Sequence, residues 1–148
     1  MRVVLQRVLR ASVTVDGEPV ASIHRGYLLL VGIGSRDDDD EVERMAEKVA
    51  NLRVFADQDG KANLALSEIG GEILVVSQFT LYANLRKGRR PSWTDAAPPD
   101  VASERVEAFS RSLEGRGLSV SRGVFGAHMN VELLNDGPFT LVLEASSL

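Results

Sequence analysis

The apolar run GYLLLVGIG at residues 26–34 constrains the fold of this chain more than any other segment. Nine residues are too few for a helix that crosses a membrane, but they suit a β-strand that is covered on both faces. Gly32 and Gly34 leave the end of the run with little side-chain bulk. The run is therefore expected to form a buried strand at the core of a sheet.

Segments with strand character surround this run, and short turns join most of them. The first fifteen residues alternate between apolar and polar side chains, with a change of phase near Arg7 and Val8 that suits one bent strand or two short ones. Asp16 and Gly17 then form a turn into EPVASI. Further strands are predicted on both sides of a turn at residues 57–61, from Glu72 to about Phe79, and in SVSRGVFG, HMNVELLN and FTLVLEAS.

Two other segments have helical spacing. The first begins at the acidic residues 37–40, which supply an N-cap and a first turn that the helix dipole favours. Its apolar face consists of Val42, Met45, Ala46, Val49 and Leu52. The second covers roughly residues 98–114 and ends at Gly115 and Gly117. The four consecutive aspartates lack the spacing, the glycine and the distal glutamate of a calcium loop, so no metal site is predicted.

Length and composition fit one domain over residues 1–148, since 148 residues with 44% hydrophobic side chains suffice for a single core. Two helices against many strands predict an α+β fold with a largely antiparallel, barrel-like sheet. The absence of cysteine excludes disulfides and a thiolate nucleophile. Because no signal peptide or apolar run of membrane length is found, a cytoplasmic protein without a membrane partner is expected. The net charge of −4 argues against indiscriminate nucleic-acid binding, and DNA is not an expected partner.

The sequence motifs of common hydrolases and nucleotide-binding proteins are missing. The two histidines, His24 and His128, have no partner residue placed beside them in the sequence, so neither is predicted to be a general base.

The segment SQFTLYANLRKGRRPSW, residues 77–93, joins the end of a strand to a basic loop. Ser77, Gln78 and Thr80 place polar side chains where binding sites are often built, although polar alternation at a strand end would also explain them. The loop adds four positive charges and an aromatic residue: Arg86, Lys87, Arg89, Arg90 and Trp93. A solvated loop would account for the charges, but this combination in an acidic chain favours RNA or nucleotide binding.

A second short segment, NDGPFT at residues 135–140, precedes the last predicted strand. Asn-Asp-Gly is common in turns, Gly137 tolerates a positive φ, and Pro138 is acceptable near the start of a strand. Its own residues therefore predict a loop between two terminal strands.

Together these segments resemble the D-aminoacyl-tRNA deacylase family, also called the D-tyrosyl-tRNA deacylase family. The family's two signatures, Ser-Gln-x-Thr and Asn-x-Gly-Pro-x-Thr, are complete here, and QRVLRASVTVDG and GVFGAHMNVELLNDGP also match. The resemblance covers essentially the whole chain. Phe139 replaces the commoner valine, and Trp93 stands where phenylalanine is frequent, so both positions stay apolar.

The resemblance implies a homodimeric enzyme that needs no cofactor and hydrolyses the ester between a D-amino acid, or glycine, and the terminal ribose of tRNA. In this family the Gly-Pro peptide bond is cis and one subunit inserts it into the active site of the other. If the carbonyl groups of Gly137 and Pro138 accept the substrate ammonium group, an L side chain collides with the main chain, whereas glycine does not. Asn135 and Thr140 complete this signature. By similarity Arg7 orients the loop, unless it is simply an exposed strand arginine.

Ester hydrolysis needs a nucleophile and a site for the oxyanion. The backbone N–H groups of Phe79 and Thr80 are the candidate donors to that oxyanion, and Ser77 and Gln78 of the same signature are expected beside them. The Thr80 hydroxyl could be the nucleophile, but no base is placed to take its proton. Attack by water, assisted by the 2′-hydroxyl of the terminal adenosine, is therefore favoured.

The expected partner is the aminoacylated 3′ end of tRNA. By similarity, Phe125 and Met129 line the adenosine pocket, where an aromatic ring can stack on the base. Two other functions remain open: an RNA-binding domain without catalysis, and an editing domain that removes a noncognate L-amino acid. The first leaves both signatures without a task, and the second does not need the Gly-Pro wall.

Overall fold

The computed structural model describes residues 1–86 and 88–148. Its strands are β1 (Arg2–Val15), β2 (Glu18–Ile23), β3 (Gly26–Gly32), β4 (Arg53–Ala56), β5 (Ala62–Ala65), β6 (Glu72–Ser77), β7 (Ser119–Arg122) and β8 (Met129–Glu144). Its helices are α1 (Asp39–Asn51) and α2 (Pro99–Gly115). Single 3₁₀ turns lie at Leu66–Ile69, Phe79–Tyr82 and Ala145–Ser147. We call Phe79–Tyr82 the 79–82 turn.

The bent strand β1 organises the main sheet. Its first half pairs antiparallel with β3 and its second half with β2, while β8 pairs antiparallel along both halves. β6 and β7 extend the sheet from β3 by parallel pairing, because α1 and α2 lie in the connections before them. β2 also contacts β6 and β7, so the mixed sheet nearly closes into a barrel. The predicted α+β fold is therefore confirmed.

Residues 26–32 of the apolar run form a strand, β3, that is buried on both faces. Leu29 and Val31 of β3 face a core that includes the buried side chains of α1 and α2, whereas Leu28 faces a second core inside the curved sheet. α1 begins after Asp38, whose carboxylate accepts a hydrogen bond from the Glu41 N–H at 2.9 Å. In the part of the chain that the structure describes, no helix is long and apolar enough to span a membrane.

The last segment of the chain differs from the sequence prediction. HMNVELLN and FTLVLEAS are not two strands joined by a loop, since both belong to β8 and both pair with β1. Gln6 pairs with Thr140 and Val8 with Asn135, so the four residues 136–139 lie opposite Arg7 alone. Gln6 Nε2 also donates a hydrogen bond to Thr140 Oγ1 at 3.2 Å. The strand therefore continues past residues 136–139, which bulge from it and which we call the Gly-Pro loop.

Candidate functional site

The 79–82 turn starts one residue after β6, which ends at Ser77 and not at the predicted position near Phe79. The Gln78 N–H donates to the Val31 carbonyl at 2.7 Å, and the Gln78 carbonyl accepts from the Leu81 N–H at 3.2 Å. Among the described residues, the N–H groups of Phe79 and Thr80 have no hydrogen-bond acceptor. This is usual for the first residues of a helical turn, and it leaves two adjacent backbone donors available to a ligand.

The side chains of this signature contain no base. Gln78 Nε2 donates a hydrogen bond to Thr80 Oγ1. His24 Nδ1 lies 3.2 Å from the Glu72 carboxylate. Glu72 begins β6, and the partly buried Ser77 ends it, so this histidine is far from the signature. The residue that holds the Thr80 hydroxyl is thus a neutral amide, which cannot take its proton.

Two glycines allow the turn to pack closely against the end of β3. A Cβ atom on Gly32 would lie 2.9 Å from the Gln78 carbonyl oxygen, and one on Gly34 would lie 2.7 Å from the Tyr82 ring. A carbon atom does not tolerate either distance, so glycine is required at both positions while the turn keeps its place. The lack of bulk noted in the sequence therefore positions the turn.

A polar network that the sequence analysis missed also holds the turn. Asp37 Oδ2 accepts hydrogen bonds from the Gly34 N–H at 2.5 Å and from the Tyr82 hydroxyl at 3.2 Å. Arg2 Nη1 donates to the Leu81 carbonyl at 2.9 Å, and its guanidinium carbon lies 4.7 Å from the centre of the Tyr82 ring. Burial, and then the charge of Asp37, raises the pKa of Tyr82, so its hydroxyl stays protonated and able to donate.

The sequence could not single out Asp37, because four consecutive aspartates all suit a helix N-terminus. The structure uses Asp38 as the N-cap of α1, which leaves Asp37 for the network around the turn.

The second signature shapes the Gly-Pro loop. The peptide bond between Gly137 and Pro138 is cis. Asn135 Nδ2 donates to the Phe139 carbonyl at 3.2 Å and to the Arg7 carbonyl of β1 at 2.9 Å. One amide therefore joins the two ends of the loop to each other and to the neighbouring strand.

Arg7 contacts the same loop through nearly its whole guanidinium group. Nε lies 2.9 Å from the Asp136 carboxylate and donates to the Asp136 carbonyl at 3.2 Å, while Nη2 donates to the Gly137 carbonyl at 3.4 Å. Nη1 donates to the Val54 carbonyl, and the guanidinium carbon lies 4.2 Å from the centre of the Phe139 ring. With a side chain only 11% exposed, Arg7 is not a simple exposed strand arginine.

Within one chain, the two signatures lie far apart. Arg7 of β1 lies opposite the Gly-Pro loop and pairs with Tyr27 of β3. Tyr27 in turn pairs with Ile73 near the start of β6, whereas Ser77 is at the other end of that strand. The four residue steps from Ile73 to Ser77 span about 13 Å, and the three strand spacings from β8 to β6 add about 14 Å sideways. A single chain does not bring the Gly-Pro loop to the 79–82 turn.

The two residues predicted for the adenosine pocket follow β7. The Gly123 N–H donates to the Val75 carbonyl of β6 at 2.9 Å, and the Met129 sulfur lies 2.6 Å from where a Cβ on Gly123 would be. Phe125 is exposed and Met129 is partly buried. This segment therefore lies near the end of β6 from which the 79–82 turn starts.

The basic loop is the remaining predicted contact with RNA. Arg86, Arg89 and Arg90 are exposed, and none of them forms a salt bridge within residues 1–86 and 88–148. Lys87 lies outside the described residues. Arg86 also lines a cleft of about 1060 Å³ together with Arg2 and Tyr82 of the network around the turn.

Comparison with solved structures agrees with this architecture. A chain titled "c-Myc DNA Unwinding Element Binding Protein" superimposes with a TM-score of 0.90 at 42% identity, covering 97% of this chain and 98% of that one. A probable eukaryotic D-amino acid tRNA deacylase superimposes with a TM-score of 0.83, covering 96% and 97% of the two chains; at 20% identity this likeness supports the fold alone.

Comparison of sequences identifies the family. The D-aminoacyl-tRNA deacylase of Roseiflexus castenholzii is 56% identical over 146 residues, which cover 99% of this chain and 93% of that protein. The corresponding protein of Thermotoga petrophila is 51% identical over 148 residues, covering 100% and 99%. The family model described as D-Tyr-tRNA(Tyr) deacylase matches residues 4–144. The chain therefore belongs to the D-Tyr-tRNA(Tyr) deacylase family.

Proposed function

We propose that this protein hydrolyses the ester between a D-amino acid and the terminal ribose of tRNA, and the corresponding ester of glycine. The products are the free amino acid and tRNA. The observation that carries the proposal is the pair of available N–H groups at Phe79 and Thr80, which belong to a complete signature of a family named for this activity.

Stabilisation of the oxyanion is the main catalytic contribution of the 79–82 turn. When a nucleophile adds to the ester carbonyl carbon, negative charge develops on the carbonyl oxygen. The N–H groups of Phe79 and Thr80 donate to that oxygen, and removal of one such donor typically costs about 10²- to 10³-fold in rate. Because the glycines and the polar network hold the turn in place, both donors are positioned before the substrate arrives.

Water is the nucleophile in this proposal. The Thr80 hydroxyl accepts a hydrogen bond from the neutral Gln78 amide, which leaves it without a base. Water adds to the carbonyl carbon while the neighbouring 2′-hydroxyl of the terminal adenosine assists. The bond to the ribose 3′-oxygen then breaks, and that oxygen receives the proton that water gives up.

The Gly-Pro loop is the chirality filter. Its carbonyl oxygens at Gly137 and Pro138 accept the substrate ammonium group, so that an L side chain would point into the main chain. Arg7 already donates to the Gly137 oxygen, but at 3.4 Å this is a long bond, and a carbonyl has a second lone pair for the ammonium group. Arg7 and Asn135 fix the loop, which is what a rigid steric wall requires.

The filter acts across a homodimer. The separation of the loop and the 79–82 turn by more than 10 Å along the strands, and again across them, supports a loop supplied by a second copy of the chain. The carbonyl groups of one subunit's loop then face the Phe79 and Thr80 N–H groups of the other subunit.

The tRNA 3′ end reaches this site with its terminal adenosine between Phe125 and Met129. Arg86, Lys87, Arg89 and Arg90 contact RNA phosphates. Family similarity supports the contacts with adenosine, and the charge of the loop supports the contacts with phosphate. The cytoplasmic location expected from the sequence remains a prediction.

The decisive experiment follows ester loss from D-Tyr-tRNA and L-Tyr-tRNA in parallel. We expect the protein to cleave the D ester and to leave the L ester intact, and to cleave Gly-tRNA as well. Cleavage of the L ester with equal efficiency would identify an editing domain of another specificity. Binding of tRNA without cleavage of any ester would identify an RNA-binding domain.

A second experiment separates water from Thr80 as the nucleophile. Thr80→Ala is expected to retain much of the activity, whereas a substrate that ends in 2′-deoxyadenosine should react poorly with the unmodified protein. Loss of activity in Thr80→Ala together with full reactivity of the deoxy substrate would restore Thr80 as the nucleophile.

A further inference from the structure

An exposed aromatic pair lies beside the proposed oxyanion site. The Phe79 and Trp93 rings meet edge to face, with centroids 5.0 Å apart and planes at 70°. Although they pack on each other, the residues remain 54% and 41% exposed. Two large aromatic side chains thus offer ring surface to the solvent beside the Phe79 and Thr80 N–H groups, and exposed apolar surface of this kind often marks a binding site.

The pair is held by backbone contacts and does not sit on the tip of the basic loop. Asn84 and Ser92 exchange backbone hydrogen bonds of 2.9 and 3.1 Å, which close the base of that loop next to Trp93. The Ala96 N–H donates to the Trp93 carbonyl at 3.1 Å. Phe79 belongs to the 79–82 turn, so both rings are attached to well-anchored backbone and little entropy is lost when a flat ligand stacks on them.

Charge close to the pair favours a polyanion with flat groups. Arg86, Arg89 and Arg90 all lie in the loop that Asn84 and Ser92 close, and none forms a salt bridge with a described residue. Aromatic rings that stack on bases, next to cations that contact phosphates, are the usual means of binding single-stranded nucleic acid.

We propose that Phe79 and Trp93 bind the base of the nucleotide that precedes the terminal adenosine of tRNA, an assignment that rests on the proposed function. The Phe79 N–H contacts the ester on the terminal ribose. The Phe79 ring belongs to the same residue and therefore lies beside the last nucleotide. Since the terminal base goes to Phe125 and Met129, the preceding nucleotide is the one left beside the aromatic pair. Its phosphate faces the arginines of the basic loop.

Intrinsic fluorescence tests this subsite without any hydrolysis, because Trp93 is the only tryptophan of the chain. The dinucleotide CpA should quench the emission of the protein with saturation, while adenosine alone, or a dinucleotide with an abasic first position, should not. Equal quenching by adenosine, or no quenching by saturating CpA, would overturn the proposal. The result does not depend on deacylase activity, so failure of the proposed function would be seen separately in the D-Tyr-tRNA assay.

Kinetics with two minimal substrates provide the second readout. D-aminoacyl-CpA should have a KM about 5-fold or more below that of D-aminoacyl-adenosine, since stacking of one base contributes about 1–3 kcal/mol. Trp93→Ala should remove most of that ratio, and Trp93→Phe should restore part of it. Leu85→Ala, which truncates an exposed side chain of the same loop, is the matched control and should keep the ratio. An unchanged ratio in Trp93→Ala would contradict the proposal.

Discussion

Phe79 combines two tasks that belong to different parts of one residue. Its backbone N–H is one of the two available donors of the 79–82 turn, and its ring packs on Trp93. A substitution by alanine removes only the ring, whereas a substitution by proline removes the ring and the N–H donor. Proline is favoured at the first position of a helical turn, and Gln78 before it has a non-helical backbone (φ −146°, ψ 76°), so we expect both variants to fold.

We expect Phe79→Pro to have a kcat about 10²- to 10³-fold lower than that of Phe79→Ala, because only the proline variant lacks an oxyanion donor. The comparison should use D-aminoacyl-adenosine, which has no preceding nucleotide, so that loss of the aromatic ring does not affect the result. Far-UV circular dichroism and Tm of both variants check the fold. Equal kcat values for two folded variants would remove Phe79 from the oxyanion site.

The sequence could predict some residues of the site but not others. The residues of each signature are contiguous in the chain, so the 79–82 turn and the Gly-Pro loop could be located by similarity. The support of the turn by Asp37 and Tyr82 could not, since the two residues are 45 positions apart and their hydrogen bond exists only in the folded chain. The orienting contacts of Arg7 were predicted only by similarity, because alternation along a strand does not distinguish a buried arginine from an exposed one.

At the scale of elements, the end of β3 determines where the 79–82 turn lies. Gly32 contacts the turn at several atoms, since a Cβ atom there would also lie 3.1 Å from the Leu81 Cβ and 3.3 Å from the Tyr82 ring. Gly32→Ala should shift the turn and lower kcat about 10- to 10²-fold, because small displacements of catalytic groups are costly. It should also reduce the free energy of unfolding by about 1–3 kcal/mol through overpacking.

The matched control is Gly115→Ala at the end of α2, where an added Cβ atom would meet nothing within 4 Å. This variant should keep kcat and be as stable as the parent protein or slightly more so, since alanine favours helix over glycine. Steady-state kinetics below the lower of the two Tm values separates a displaced turn from partial unfolding. A Gly32→Ala protein with unchanged kcat would show that the turn does not depend on this contact.

The elements that the sequence predicted well are those with an unambiguous apolar pattern. The continuous apolar run of β3 and the helical spacing of α1 are such patterns, and both elements were confirmed. β8 was wrongly divided, because Asn-Asp-Gly-Pro has the composition of a turn whether or not the chain reverses. What decides the outcome is that β1 offers hydrogen-bond partners on both sides of the Gly-Pro loop, and that pairing joins residues more than 120 positions apart.

For the whole molecule, the main question is which chain supplies the loop to a given site. The strand pairing suggests a variant that lacks the Gly-Pro loop but keeps both flanking parts of β8. Deletion of residues 136–138 leaves Phe139 alone opposite Arg7, between the existing pairs Gln6 with Thr140 and Val8 with Asn135, so the ladder of β1 and β8 becomes regular over this stretch. The second register shift, between Val8 and Arg10, is unchanged. The variant should fold and form dimers, but it lacks the carbonyl groups that we propose to receive the substrate ammonium group. Its activity on D-Tyr-tRNA should fall at least 10-fold.

Subunit complementation then tests the shared site. A chain with Phe79→Pro and a chain without residues 136–138 are produced together with different affinity tags, and the mixed dimer is isolated by two purification steps. If the loop acts across the dimer, one site combines both defects and the other combines an intact turn with an intact loop. The mixed dimer should therefore have about half the activity of the parent dimer and retain its preference for the D ester. If each loop served its own chain, every site would carry one defect, and the mixed dimer would be as inactive as the homodimers of the two variant chains.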